Sequence, residues 1–363
     1  MTTATQKPAA GASSSSQQVA NHRTPLIFDC WYVAALSSEV TREMFSRKIL
    51  GQKVLMYRTL EGAPVIMDDR CPHRSFPLSR GTLEGDNVVC GYHGICFNAK
   101  GNCQGMPSLP NPPVHVTQRT FKAVERGPLI WVWMGDQDKA DEAKIPDTSW
   151  LESNKWETVS GSFPIATNYV AMHENLLDQT HFGILHPGLV GTPEYASSDL
   201  DVRTEGDRVF ILRTLKDSPA PGIYGEPMRL FDKPVDRYSD SRFESPAAHI
   251  AHAKIVDNNP DEGKASEYLV NISHLFTPET QNTIHYWWFT SRNFYLDDNS
   301  ASQFMKNNSD IAYKQDEEAL RWIQETYDDS ETILPEMSFG PDRPGLLCRR
   351  ILQRLANEES NKG

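Results

Sequence analysis

Cys71-Pro-His73-Arg-Ser-Phe76-Pro-Leu-Ser-Arg-Gly81 places a thiol and an imidazole on one short loop, and Cys90-Gly-Tyr-His93-Gly repeats the pairing. The chain has six cysteines among 363 residues, too few and too scattered for a disulfide scaffold. Two thiols and two imidazoles form a metal-ligand set. In a structural zinc site the cysteines usually come as one pair and the histidines as another. Here each pair is mixed.

That distribution suits a [2Fe–2S] centre in which one iron takes both thiolates and the other both imidazoles. Structural zinc is the competing assignment, and it would give a colourless protein. With its flanking residues the set resembles the Cys-x-His-Arg…Cys-x-x-His-Gly loops of bacterial Rieske oxygenases. Rieske proteins of cytochrome bc complexes carry extra cysteines that brace the loops with a disulfide. Phe76 stands where the first of these would be, so that brace is missing. Cys30, Cys96, Cys103 and Cys348 are left as core or surface thiols.

Around the loops, short β-rich runs separated by turn residues extend from Trp31 to Met134. They predict a small antiparallel β domain over residues 25–136, ending in a charged linker at Asp136-Gln-Asp-Lys-Ala-Asp-Glu142. Residues 1–24 read as a polar, low-complexity, disordered tail without the apolar core of a secretory signal. No apolar run is long enough to span a membrane, and cytoplasm is the default location. A net charge of −12 with no basic stripe argues against nucleic-acid binding.

Residues 137–363 mix strand-like runs with helical patterns, giving an α+β second domain. A helix is expected from Asn168 to about His186, ending at Pro187-Gly188. Another is expected from Ser309, as N-cap, to Tyr327, and a last one over Leu346–Asn357. Asp178 and His181 are three apart, one helical face if the helix is regular. His186 is five beyond His181, so convergence needs the helix to distort or end. Two histidines with a carboxylate form the facial triad of non-haem Fe(II) oxygenases.

Asn168-x5-Glu174-Asn175-x2-Asp178-x2-His181-x4-His186 resembles the catalytic domain of the Rieske non-haem iron oxygenases, the family already indicated by the first motif. The resemblance covers nearly the whole chain and implies the oxygenase component of a multicomponent system. It makes His181 and His186 ligands of a mononuclear iron. It places the carboxylate ligand on a late helix, where Tyr313-Lys-Gln-Asp316 fits, with Asp310, Glu317 and Glu318 as competitors. It gives Asp178 the role of bridging to the cluster of a neighbouring subunit, and hence a homotrimer. Tyr169 and Val170 replace the Trp-Lys often found in that stretch.

No Gly-x-Gly-x-x-Gly follows a strand and no ferredoxin cysteine loop is present. Electrons must therefore come from a separate NAD(P)H-dependent flavin reductase, directly or through a ferredoxin. The N-terminal Trp31-Tyr-Val-Ala-Ala35 segment looks like that of the vanillate- and dicamba-type O-demethylases, which use O2 on a small aromatic substrate. Demethylation of an aromatic acid is the expected reaction, with ring hydroxylation or dihydroxylation as the runner-up. Asn271, His274, His285 and Trp287 are the expected pocket residues. A pure electron carrier remains a further alternative.

Overall fold

The computed structural model describes residues 19–109, 115–230 and 233–361. Most of the predicted N-terminal tail lies outside these residues. Its last part does not behave as a tail. Ala20 is fully buried and donates its backbone N–H to the Arg349 carbonyl at 3.1 Å, and Thr24 donates to Gln353 at 3.2 Å. The tail expected to reach residue 24 is thus placed from Val19 on, anchored by polar contacts to one distant C-terminal helix that local composition does not announce.

The N-terminal half is all β. The strands Trp31–Leu36, Leu129–Trp133 and Ala123–Arg126 form a three-stranded sheet. A four-stranded sheet runs Phe45–Ile49, Gln52–Arg58, Pro64–Asp68 and Thr120–Phe121. A second holds Thr82–Glu84, Asn87–Val89, Cys96–Phe97 and Cys103–Gly105. The two Cys/His loops leave the strands Pro64–Asp68 and Asn87–Val89.

The C-terminal half is built on a seven-stranded antiparallel sheet. In spatial order its strands are Glu157–Ile165, Ile284–Arg292, Glu267–Pro278, Ala248–Asp257, Pro234–Ser245, Arg208–Pro219 and Asp201–Glu205. The helices are α1 (Tyr169–Leu177), α2 (Phe182–Leu185), α3 (Pro193–Ser197), α4 (Gly222–Met228), α5 (Asn299–Asp328) and α6 (Arg343–Ser360). None is long and apolar enough to cross a membrane among the described residues.

Both faces of this sheet are covered, which decides where each side chain goes. By the two-residue period of a strand, Ala248, Ile250, Leu275, Trp287 and Phe289 point one way, onto Trp31, Trp131 and Trp133 of the N-terminal half. The opposite set, including Phe243, Phe276, Tyr286 and Trp288, packs against α1, α5 and α6. Thr277 ties the halves by donating to the Val33 carbonyl at 2.7 Å.

Two helices differ from expectation. α5 starts ten residues earlier than Ser309, capped by the Asp298 carboxylate, which accepts from the N–H groups of Ser300 and Ala301. Ser309 is instead fully buried inside the helix. The segment from Asn168 is also not one helix, and that break makes the site.

Candidate metal centres and active-site cavity

The two Cys/His loops close in the same way. The Cys71 N–H donates to Phe76 O at 2.9 Å, and Cys71 O accepts from Ser75 N at 2.9 Å. Cys90 N–H donates to Ile95 O at 2.8 Å, and Cys90 O accepts from Gly94 N at 3.0 Å. The turn needs a positive φ at its fifth residue, 58° at Ser75 and 69° at Gly94. Gly91 lets the loops meet, since a Cβ there would sit 2.9 Å from the Arg80 carbonyl oxygen.

Cys71 and Cys90 are buried together, and burial together with the neighbouring Cys90 thiol raises the Cys71 pKa. His73 and His93 are exposed and face each other, ring centroids 4.6 Å apart. The thiols thus pair inside and the imidazoles outside, the distribution that a two-iron cluster needs. A single zinc needs all four donors around one point. Among the described residues, the one set of three or more donors within 4.8 Å of one another is His181, His186 and Asp316. Phe76 packs on Tyr92 at 5.9 Å and Tyr92 on His93 at 3.9 Å. This aromatic contact joins the loops where the disulfide is missing.

The second centre arises where α1 stops. Asn168 caps α1 by accepting from the Ala171 N–H. At the other end Asp178 leaves the helical conformation, and its Oδ1 accepts from the Thr180 N–H at 2.8 Å and from the Thr180 hydroxyl at 2.6 Å. This Asx turn reverses the chain locally. α2 then supplies a single turn with His181 at its start and His186 at its end. The expected shared helical face of Asp178 and His181 does not exist, because the side chain of Asp178 itself ends the helix.

The break brings His181 Nε2 to 3.5 Å and His186 Nε2 to 3.1 Å from Asp316 Oδ1. Asp316 comes from the middle of α5, on its buried stripe Ala301, Met305, Ser309, Ala312, Asp316, Leu320 and Gln324. Asp310, Glu317 and Glu318 lie off that stripe. Burial alone would raise the Asp316 pKa, but the two imidazoles outweigh it and hold the carboxyl well below its usual range. Burial opposes protonation of His181, yet the carboxylates of Asp178 and Asp316 raise its pKa to about 9. His181 Nε2 is buried without a hydrogen-bond partner. An orphaned imidazole nitrogen beside a carboxylate whose ionised form is favoured suits a divalent-cation site.

The donors are held from behind. His186 Nδ1 lies 2.8 Å from Gln315 Oε1. As the amide oxygen can only accept, this fixes the proton on Nδ1 and frees Nε2. Asn175 donates to Asp316 Oδ1 at 3.1 Å, and Asp178 Oδ2 stands 3.9 Å from His181 Nδ1. Gln315 was not a candidate from the sequence, although its place beside an acid on a buried stripe was a usable signal. Gln315→Ala is expected to weaken iron binding about 10- to 100-fold at unchanged fold, measured by titrating iron into the chelator-treated variant.

Beside these residues opens a part-enclosed cavity. His274 lines it, as expected, with Nδ1 2.6 Å from the Tyr286 hydroxyl and burial lowering its pKa to about 4. Asn271, His285 and Trp287 do not. Their strand positions point to the other face, where Asn271 Oδ1 pairs with His252 Nδ1 at 2.7 Å. His285 donates to the Lys48 carbonyl at 2.9 Å, and Trp287 packs in the tryptophan-rich cluster against the N-terminal half. The cavity wall is instead made by Phe182, Tyr195, Tyr224, Arg237, His249 and Tyr313, with others.

Known families match both parts. Residues 30–122 match the Rieske [2Fe-2S] domain, and residues 165–358 match the vanillate O-demethylase oxygenase C-terminal domain. The chain belongs to the Rieske non-haem iron oxygenases. It is 34% identical to the iron-sulfur subunit of a toluene-4-sulfonate monooxygenase system from Comamonas testosteroni, over 88% of this chain and 91% of the relative. It is 32% identical to the vanillate O-demethylase oxygenase subunit of a Pseudomonas species, over 86% and 96%. The crystal structure of dicamba monooxygenase bound to 3,6-dichlorosalicylic acid superposes with a TM-score of 0.84 at 27% identity, covering 93% and 99%. This Rieske oxygenase is therefore an oxidoreductase, the terminal oxygenase component of a multicomponent aromatic monooxygenase, with a [2Fe–2S] cluster and a mononuclear non-haem iron as its cofactors.

Proposed function

We propose that the enzyme removes a methyl group from an aromatic acid by monooxygenation. One C–H bond of the methyl ether becomes C–OH, and the hemiacetal so formed collapses to a phenol and formaldehyde. One O2 and two electrons are consumed, and the second oxygen atom leaves as water. The observation that carries this is the convergence of His181, His186 and Asp316 at the wall of an aromatic-lined cavity. Cys71, His73, Cys90 and His93 would hold the cluster, which would supply electrons, and His181, His186 and Asp316 would hold the iron, which would supply O2 activation.

The protein's own residues bind, orient and insulate. Gln315 and Asn175 aim His186 and Asp316, and the apolar and aromatic wall keeps the substrate close and dry. Asp178 holds His181 on one side and, across a head-to-tail homotrimer, would link it to a cluster-binding histidine of the neighbouring subunit. An NAD(P)H-dependent flavin reductase, alone or with a ferredoxin, feeds the system in the cytoplasm. The domain limits are 25–136 for the cluster half and 137–363 for the catalytic half, with Ala20 and Thr24 hydrogen-bonded to α6.

The test is turnover of 4-methoxybenzoate and vanillate with NADH and a flavin reductase, scoring formaldehyde against O2 uptake. Formaldehyde matching the O2 consumed is the expected result, and a ring-hydroxylated product without formaldehyde would overturn it. Asp178→Asn should keep both iron centres yet lose about 100-fold in reductase-supported turnover. Unchanged turnover in that variant would remove Asp178 from the electron path.

A further inference from the structure

Two arginines on adjacent strands of the large sheet are buried beside the cavity, and their surroundings differ. Arg213 is well partnered. Its Nε donates to Gln179 Oε1 at 2.9 Å, and its Nη1 donates to the Tyr195 and Ser198 carbonyls at 3.1 and 2.7 Å. It braces α3 and the Asp178–His181 turn, because Gln179 Oε1 also accepts from the Tyr195 hydroxyl.

Arg237 lines the cavity and is only 2% exposed. Its Nε is buried with no hydrogen-bond partner, and its Nη1 makes one long contact, 3.4 Å to the Thr192 hydroxyl. The face of Tyr195 lies 4.9 Å from the guanidinium, a contact that steadies a cation without neutralising it. No carboxylate among the described residues forms an ion pair with it. Asp240, three residues along the same strand, also borders the cavity and has its Oδ1 buried without a hydrogen-bond partner, but by strand alternation its side chain points away from that of Arg237, opposite His252 in the register, and the two form no ion pair.

A buried charge without a partner is costly, and a lysine or histidine would relieve it by losing its proton. A guanidinium stays charged across the physiological range, so an arginine left unpaired in a ligand cavity is one whose partner arrives with the ligand. Two neighbouring cavity histidines, His249 and His274, are less suited to this role. His249 has its pKa lowered by burial and pairs Nε2 with the Ser241 hydroxyl at 2.6 Å, and His274 is likewise held neutral. Nε together with an Nη group gives the two parallel donors that a carboxylate or a sulfonate accepts.

We infer that Arg237 is the specificity-determining anchor for the anionic group of the substrate, gripping it through the Nε edge and directing the opposite end of the ring towards His181, His186 and Asp316. This rests on the substrate class proposed above and names the residue that selects it.

The test is calorimetric binding to the iron-loaded protein without reductant, comparing 4-methoxybenzoate and 4-toluenesulfonate with neutral 4-methoxybenzamide. The wild type should bind the acids at least about 10-fold more tightly than the amide, with little change between about pH 6 and pH 9. Arg237→Gln should weaken the acids about 10- to 100-fold and leave the amide within about 2-fold. Arg237→Lys should fall between. If Arg237→Gln does not hold iron, Arg237→Lys decides by the same acid-specific loss. Equal binding of acid and amide by the wild type, or equal weakening of both in an iron-replete variant, would overturn the assignment. Formaldehyde release is scored separately. Acid binding without demethylation refutes the proposed reaction and leaves the anchor, whereas demethylation of neutral ethers alone refutes the anchor.

Discussion

In Asp316→Ala, iron is expected to fall from about three atoms per chain to about two, with the cluster's visible spectrum unchanged. Among the described residues, Asp316 is the sole carboxylate that the fold brings to both His181 and His186, and the shared atom is Oδ1, at 3.5 and 3.1 Å. Deleting it leaves two imidazoles, one of them already without a partner. Two neutral ligands hold ferrous iron poorly, since the site loses its one compensating negative charge. Turnover should drop beyond the roughly 100-fold that loss of a supporting contact costs. Glu317→Ala is the control. It lies off the buried stripe of α5 and should retain the full iron count. The assay is colorimetric iron per chain, measured with the visible spectrum and formaldehyde release on the same samples.

Cys90→Ala should remove the other centre. The variant is expected to be colourless, to keep about one iron per chain, and to show no reductase-supported turnover. Cys90 and Cys71 are the buried half of the donor set, at the floor of loops that share one hydrogen-bonding pattern. Losing one thiol strips a ligand from the iron that has no imidazole. Cys96→Ala, only one strand further on and half-buried, should stay brown and active. A brown Cys90→Ala protein would show that the cluster is held elsewhere.

The candidate donor sets were legible in the sequence because their members are close together in it. Each Cys/His loop is a single turn, and His181 and His186 flank a single helical turn. Asp316 is distant, yet it occupies the apolar stripe of a long helix while its acidic neighbours do not. The two halves and their order were legible for the same reason.

What was hidden depends on contacts that have no local signature. The break after Leu177 rests on Thr180 bonding the Asp178 carboxylate, which competes with a helix that the flanking residues would otherwise continue. α5 was expected to start at Ser309 because its first turns are rich in Asn, Ser and Gln, which mask the stripe begun by Ala301 and Met305. Asn271, His285 and Trp287 were assigned to the cavity wrongly because both faces of the large sheet are covered. Polarity then no longer alternates with facing, and only the register shows which way a side chain points. Arg237 was invisible for the opposite reason. A single arginine in a strand carries no pattern, and its lack of a partner is a property of the folded sheet.

A single-turnover reaction tests the central claim most directly. Iron-loaded protein is reduced anaerobically, freed of reductant, and mixed with O2 and 4-methoxybenzoate in the absence of any reductase. The expected result is reoxidation of the cluster with formaldehyde and 4-hydroxybenzoate formed together, at up to about one equivalent per chain. Reoxidation of the cluster with no oxidised substrate from any of the aromatic acids would contradict it and leave the chain an electron carrier.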